Sequence, residues 1–129
     1  MIENPIKFIW IINNKNKILY QKNFIDKEGD IDLYLGFFSS IIKFADKVAN
    51  DELESIEMKD SLINYHFADE FFIVIVTEKD VNLKKIKNLL MKIRTSFKNQ
   101  YEGLYNTDNP EIFQHFDATM DIILKSTKL

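Results

Sequence analysis

His66 and His115 are the imidazoles this 129-residue chain offers to a metal or to proton transfer, and there is no cysteine. Neither histidine has a second His or a Cys at ligand spacing, so zinc chemistry, which needs several convergent donors, has no motif to start from. The other group that could do acid–base work or hold a cation is the carboxylate run Asp51, Glu52, Glu54 and Glu57. A carboxyl becomes a useful general acid when an apolar pocket raises its pKa, and the neighbours here supply none. The run reads instead as a solvated loop and strand edge. The glycines are Gly29, Gly36 and Gly103, too scattered for a phosphate-cradling loop. The expectation is a non-enzymatic protein with no cofactor and no metal.

The elements that must position such residues belong to a chain of one-domain length, residues 1–129, able to build a sizeable core without staples. Hydrophobic residues make up 46% and charged residues 29%, which is a globular composition. A formal net charge of -3 argues against a nucleic-acid partner, which would call for a basic face. The start, MIENPIKF, has an acid and a proline where a secretory signal needs a basic residue and an apolar run. No segment approaches the roughly 18 apolar residues of a membrane span, so a cytoplasmic location is expected, with any membrane contact peripheral.

IKFIWIIN (6–13) is a β-branched and aromatic run ending in the turn cluster Asn13-Asn14-Lys15-Asn16, where asparagines tolerate positive φ. KILYQKNF (17–24) returns with a broken alternation: Ile18, Tyr20 and Lys22 share a face, while Leu19 does not fit a strict alternation. After Gly29, Asp30 stands as N-cap of a first helix over 31–49, with Asp32 in its first turn. Short strands follow at 53–59, 61–67 and 71–77. Leu83, Ile86, Leu90, Ile93, Phe97 and Tyr101 then recur at helical spacing, giving a second helix that Gly103 stops. Asp108-Asn109-Pro110-Glu111 supplies an N-cap and a first-turn proline for a third helix, whose inner stripe is Ile112, Phe116, Met120, Ile123 and Leu124.

The order is therefore β-β-α-β-β-β-α-α. The first and last strands are apolar throughout, as strands covered on both faces are. With hairpins joining neighbours, burial favours the sheet order 2-1-5-4-3. Lys17, Gln21, Lys22, Glu54, Glu57 and Lys59 then fall on the two edge strands, where polar side chains discourage stray pairing.

At about 100° per residue, Ile31, Leu35, Phe38, Ile42, Ala45 and Ala49 of the first helix form one apolar stripe. Tyr34, Phe37, Ile41, Phe44 and Val48 form a second beside it. Together they span roughly 200°, wider than a helix lying on a sheet needs. Either a broad sheet and a loop cover both stripes, or the margin at Phe37 and Phe44 meets a partner. The second helix carries Lys84, Lys85, Lys87, Lys92, Arg94 and Lys98. Such cations either solvate the helix or face an anionic lipid surface.

The chain resembles the longin family, from IKFIWIINNKNKILY through LYLGFFSSIIKFADKVA and FFIVIVT to the last two helices. The resemblance implies an α+β, profilin-like fold: a five-stranded antiparallel sheet in that order, one helix on one face and two on the other. The related roadblock fold begins with a helix, whereas this chain begins with a strand. Longin domains act as adaptors in membrane traffic and small-GTPase regulation. The sequence stops at Leu129, soon after the third helix, so the expected type is stand-alone, similar to adaptor small chains, tethering-complex subunits and Asgard archaeal longins. The implied partners are a second copy or another longin or roadblock protein, and a small GTPase. The implied interface is Tyr34, Phe37, Ile41, Phe44 and Val48 of the first helix with Ile56 and Met58 of the neighbouring edge strand. Lys84, Lys85, Lys87, Lys92 and Arg94 are the candidate contact to an anionic surface. The alternative function is small-ligand sensing in a pocket of the sheet, which requires an apolar cavity.

Overall fold

A computed structural model describes residues 5–24, 54–57, 61–68 and 70–127. The expected first helix and Met58 lie outside the described residues. Strands β1 (Ile6–Asn13), β2 (Ile18–Asn23), β3 (Glu54–Glu57), β4 (Leu62–Phe67) and β5 (Phe71–Thr77) form one antiparallel sheet in the order β2-β1-β5-β4-β3. Helix α1 spans Leu83–Tyr101, a 3-10 helix spans Pro110–His115 and α2 spans Phe116–Ser126.

β1 and β5 occupy the centre because every residue of β5 and nearly every one of β1 is buried. Alternate side chains of these strands feed two cores. Ile9, Ile11, Ile73 and Ile75 meet Ile86, Leu90, Ile93, Phe97, Phe113, Phe116 and Met120 from the helices. Phe8, Trp10, Ile12, Ile63, Phe72, Val74 and Val76 form the second cluster on the opposite face, with Ile56 and Phe67 packed against it. Both faces exclude water, which explains why the two central sequences lack the alternation of a one-sided sheet.

The broken pattern of the second strand has a structural cause. The register with β1 slips between Ile11 and Ile12, so that Tyr20 faces Ile11 while Ile18 faces Ile12. Leu19 is the extra residue of a β-bulge, which puts Leu19 and Tyr20 both on the helix-side core and Ile18 on the other. The preceding turn is organised by the buried Asn13 side chain. Its Oδ1 accepts from the backbone N–H groups of Lys15 and Lys17, each at 2.9 Å, and Asn16 takes the expected positive φ of 64°.

α1 matches its expected span and is capped by Asn82, whose side chain accepts from the backbone N–H groups of Lys84 and Lys85. Gly103 follows it with φ 82°, the left-handed conformation that ends helices. The third helix departs from expectation. Residues 110–115 wind as a 3-10 helix, and Asn109 makes no side-chain cap. At three residues per turn, Pro110, Phe113 and Phe116 fall in line. Phe113 consequently enters the core, fully buried, in the place assigned to Ile112, which is only partly buried.

Candidate functional site

Phe97 is the hub that fixes the helix layer beside β2. Its ring lies 5.2 Å from Phe71, 4.9 Å from Tyr101, 5.5 Å from Phe113 and 5.1 Å from Phe116, centroid to centroid. The Tyr101 hydroxyl donates to the Ile112 carbonyl at 3.0 Å. This aromatic packing holds the 3-10 helix as a wall along the β2 edge.

A cluster of polar groups joins that wall to the strand. The Tyr20 hydroxyl donates to Asp117 Oδ1 at 2.7 Å, and Tyr20 packs edge-on against Phe116 at 5.3 Å. Lys22 Nζ lies 3.0 Å from Asp117 Oδ1 and 3.3 Å from Asp121 Oδ1. Burial, then the adjacent Asp117, push the Tyr20 phenol well above its ordinary range. The hydrogen bonds from Tyr20 and Lys22 hold the Asp117 carboxyl below its ordinary value. Burial opposes the charge on Lys22, yet its two aspartates outweigh that and raise its pKa.

Between strand and wall lies an open groove of about 550 Å³, lined by Ile18, Leu19, Tyr20 and Gln21 on one side and by Pro110, Glu111, Phe113, Gln114 and Asp117 on the other. None of these residues except Gln21 stood out in the sequence as a candidate for recognition, and Gln21 stood out only as an edge polar group. The pairing that builds the cluster, Tyr20 with Asp117, spans the two ends of the chain and leaves no local pattern to read.

At the opposite end of the sheet, β3 is a short edge strand. Ile56, half-buried, faces Ile63 of β4 and joins the second-face core. Ser55 donates to Asn64 Oδ1 at 2.9 Å, while Asn64 Nδ2 donates to the Ile75 carbonyl at 3.1 Å and to Thr77 Oγ1 at 3.3 Å. Among the described residues Ile56 thus sits, half-buried, on the outermost strand of this end of the sheet. Tyr34, Phe37, Ile41, Phe44, Val48 and Met58, the rest of the expected interface, lie outside the described residues.

The cations of α1 spread around its outer side, opposite the buried stripe. With about 100° per residue, Lys85 and Lys92 lie on one flank of the buried stripe and Lys87, Arg94 and Lys98 on the other, with Lys84 between them on the outer side. Lys92 Nζ donates to Thr127 Oγ1 at 3.1 Å, beside α2. Arg94 and Lys98 line a smaller cleft of about 270 Å³ with Glu70, Glu102, Phe71 and Tyr105. Among the described residues no cluster of His, Cys, Asp and Glu could hold a metal, and no helix is long and apolar enough to cross a membrane.

The sheet order and helix layer define a roadblock/longin-type α+β fold. No family model matches the chain, and no curated protein matches it either. Solved structures do. A Roadblock/LC7 domain from Streptomyces avermitilis aligns over 73% of this chain and 83% of its own, with TM-score 0.55 and 10% identity. The gliding protein mglB from Thermus thermophilus aligns over 80% of this chain and 78% of its own, with TM-score 0.50 and 20% identity. An MglB solved in a tetrameric arrangement aligns over 80% and 77%, with TM-score 0.51 and 15% identity. At such identities the likeness is one of fold. It also brings the roadblock architecture closer than the strand-first sequence led one to expect.

Proposed function

We propose that this protein is a non-enzymatic adaptor or regulatory scaffold of the longin and roadblock kind. It assembles with a second copy, or with another protein of this fold, and presents a docking platform to a small GTPase. The observation that carries this reading is the β3 edge, where Ile56 extends the apolar second-face cluster to the rim of the sheet. An apolar side chain at an open strand edge offers two kinds of binding energy at once: main-chain hydrogen bonds and burial. An MglB of the same fold, solved in a tetrameric arrangement, supports self-association. The resemblance to longins supports GTPase docking and a trafficking-like role.

The first experiment is a pull-down with small GTPases from the same source, loaded in turn with GDP and with a non-hydrolysable GTP analogue. Nucleotide-dependent retention supports docking, and no retention above a bare-resin control in either state removes it.

A further inference from the structure

We propose that the groove along β2 is a second docking site, which takes an extended, basic peptide segment of another protein as an added strand. This site lies at the opposite end of the sheet from the β3 edge and does not depend on assembly there.

The backbone of β2 is set up for the addition. Phe24 N donates to the Lys7 carbonyl and Asn13 N donates to the Lys17 carbonyl, both at 2.9 Å. Given the register Ile9 with Lys22 and Ile11 with Tyr20, antiparallel alternation turns the peptide groups of Tyr20, Lys22 and Phe24 towards β1. Those of Gln21 and Asn23, beyond the bulge at Leu19, turn outward, at the end of the sheet. A strand laid there would bond to Gln21 and Asn23 with its main chain, the mode in which an exposed edge binds a peptide independently of side-chain identity.

The wall supplies selectivity. A peptide strand sends every second side chain to the same face, and on the helix side those side chains would enter the groove over Leu19, Tyr20 and Phe113. Its charge is negative. Asp117 and Asp121 share the single ammonium of Lys22, which leaves one net negative charge, and the exposed Glu111 on the same wall adds another. Lys or Arg at alternate positions of the peptide satisfies both parts, laying its methylene stem on the apolar floor and its cation against the carboxylates. An acidic segment meets repulsion at each of them.

The test is a heteronuclear NMR titration of the full chain with a short, capped peptide of alternating Lys and Thr. Parallel titrations use a Glu-Thr peptide and a Lys-Thr peptide N-methylated on the alternate amides that would pair. The expected result is that the Lys-Thr peptide moves the amide signals of 18–23 and 110–117. N-methylation, which leaves the protein untouched, weakens binding by about tenfold. Glu111→Lys weakens it by about fivefold, and the Glu-Thr peptide does not bind. Gln21→Pro, which deletes an outward N–H at an edge position where proline is tolerated, matches the N-methyl result. The proposal is overturned if millimolar Lys-Thr peptide shifts nothing, if the shifts lie elsewhere, or if the N-methylated peptide binds equally well. It is overturned equally if Gln21→Pro dissociates a dimer, because the groove would then hold a second copy of the chain.

Discussion

The two edges of the sheet are built differently. β2 is tied to the helix layer by a phenol, an ammonium and two carboxylates from α2, with the 3-10 helix standing beside it across a groove. β3 is tied to its own sheet, by pairing with β4 and by the Ser55–Asn64 hydrogen bond, and its Ile56 leans on the second-face core. One edge is framed by charge on the helix wall, and the other sets one apolar residue, Ile56, onto the second-face core between the exposed Ser55 and Glu57. An edge with charged walls selects what it binds by sign, whereas an edge backed by apolar surface favours another apolar edge, so a single sheet can serve assembly at one end and recognition at the other.

This contrast can be broken at the wall. Phe113→Ala removes a fully buried ring from the aromatic hub and should cost about 3–5 kcal/mol, measured by denaturant unfolding. Hydrogen exchange should rise first in the 3-10 helix and β2, with β3 and β4 following only at global unfolding.

The other edge has its own weak point. Asn64→Ala strips the partner from Ser55 and the side-chain donor from the Ile75 carbonyl, with an expected cost of about 1–3 kcal/mol. Its exchange signature should appear in β3 and β4 while β2 stays protected.

Tyr20→Phe keeps the ring against Phe116 and removes only the hydroxyl that Asp117 accepts, so about 0.5–1.5 kcal/mol is expected. The pH dependence follows from the directions of the shifts. Tyr20 and Lys22 are raised from 10.0 and 10.5, so their contribution is full below about pH 10 and is lost as pH rises through the folded values. Asp117 is lowered from 3.8, so its contribution is present above that value and lost as pH falls through the folded one. Tyr20→Phe should flatten the alkaline limb of a stability-versus-pH curve. A matching flattening from Asn64→Ala would erase the distinction between the edges.

The smallest effect belongs to Lys22→Met. Asp117 and Asp121 are about half exposed, so loss of the ammonium should cost about 0.2–1 kcal/mol and less at high salt. Thermal melts at low and high ionic strength would show it.

What the chain disclosed in advance follows its periodic apolar residues. The continuous runs IKFIWIIN and FFIVIVT placed β1 and β5 in the centre, and the spacing from Leu83 to Tyr101 marked α1 with its stop at Gly103. The misses share a physical origin in tertiary contacts that no local pattern records. The irregularity of KILYQKNF was visible, but only the paired strand shows that Leu19 is a bulge. Asn13 and Asn64 are polar residues buried because backbone groups far along the chain or on neighbouring strands satisfy them. Phe113 took the inner position because the helix starts at three residues per turn, a choice that the sequence Pro110-Glu111-Ile112-Phe113 does not reveal. The Tyr20–Asp117 bond joins β2 to α2 and was invisible for the same reason.

The central claim, assembly through the β3 edge, is tested most directly by sedimentation velocity at micromolar concentration on the unmodified chain and on Ile56→Lys and Phe37→Asp, each checked for retained structure by circular dichroism. The account predicts a dimer or larger assembly for the unmodified chain and monomers for both folded variants. A monomer throughout, or an assembly that both folded variants leave intact, would contradict it.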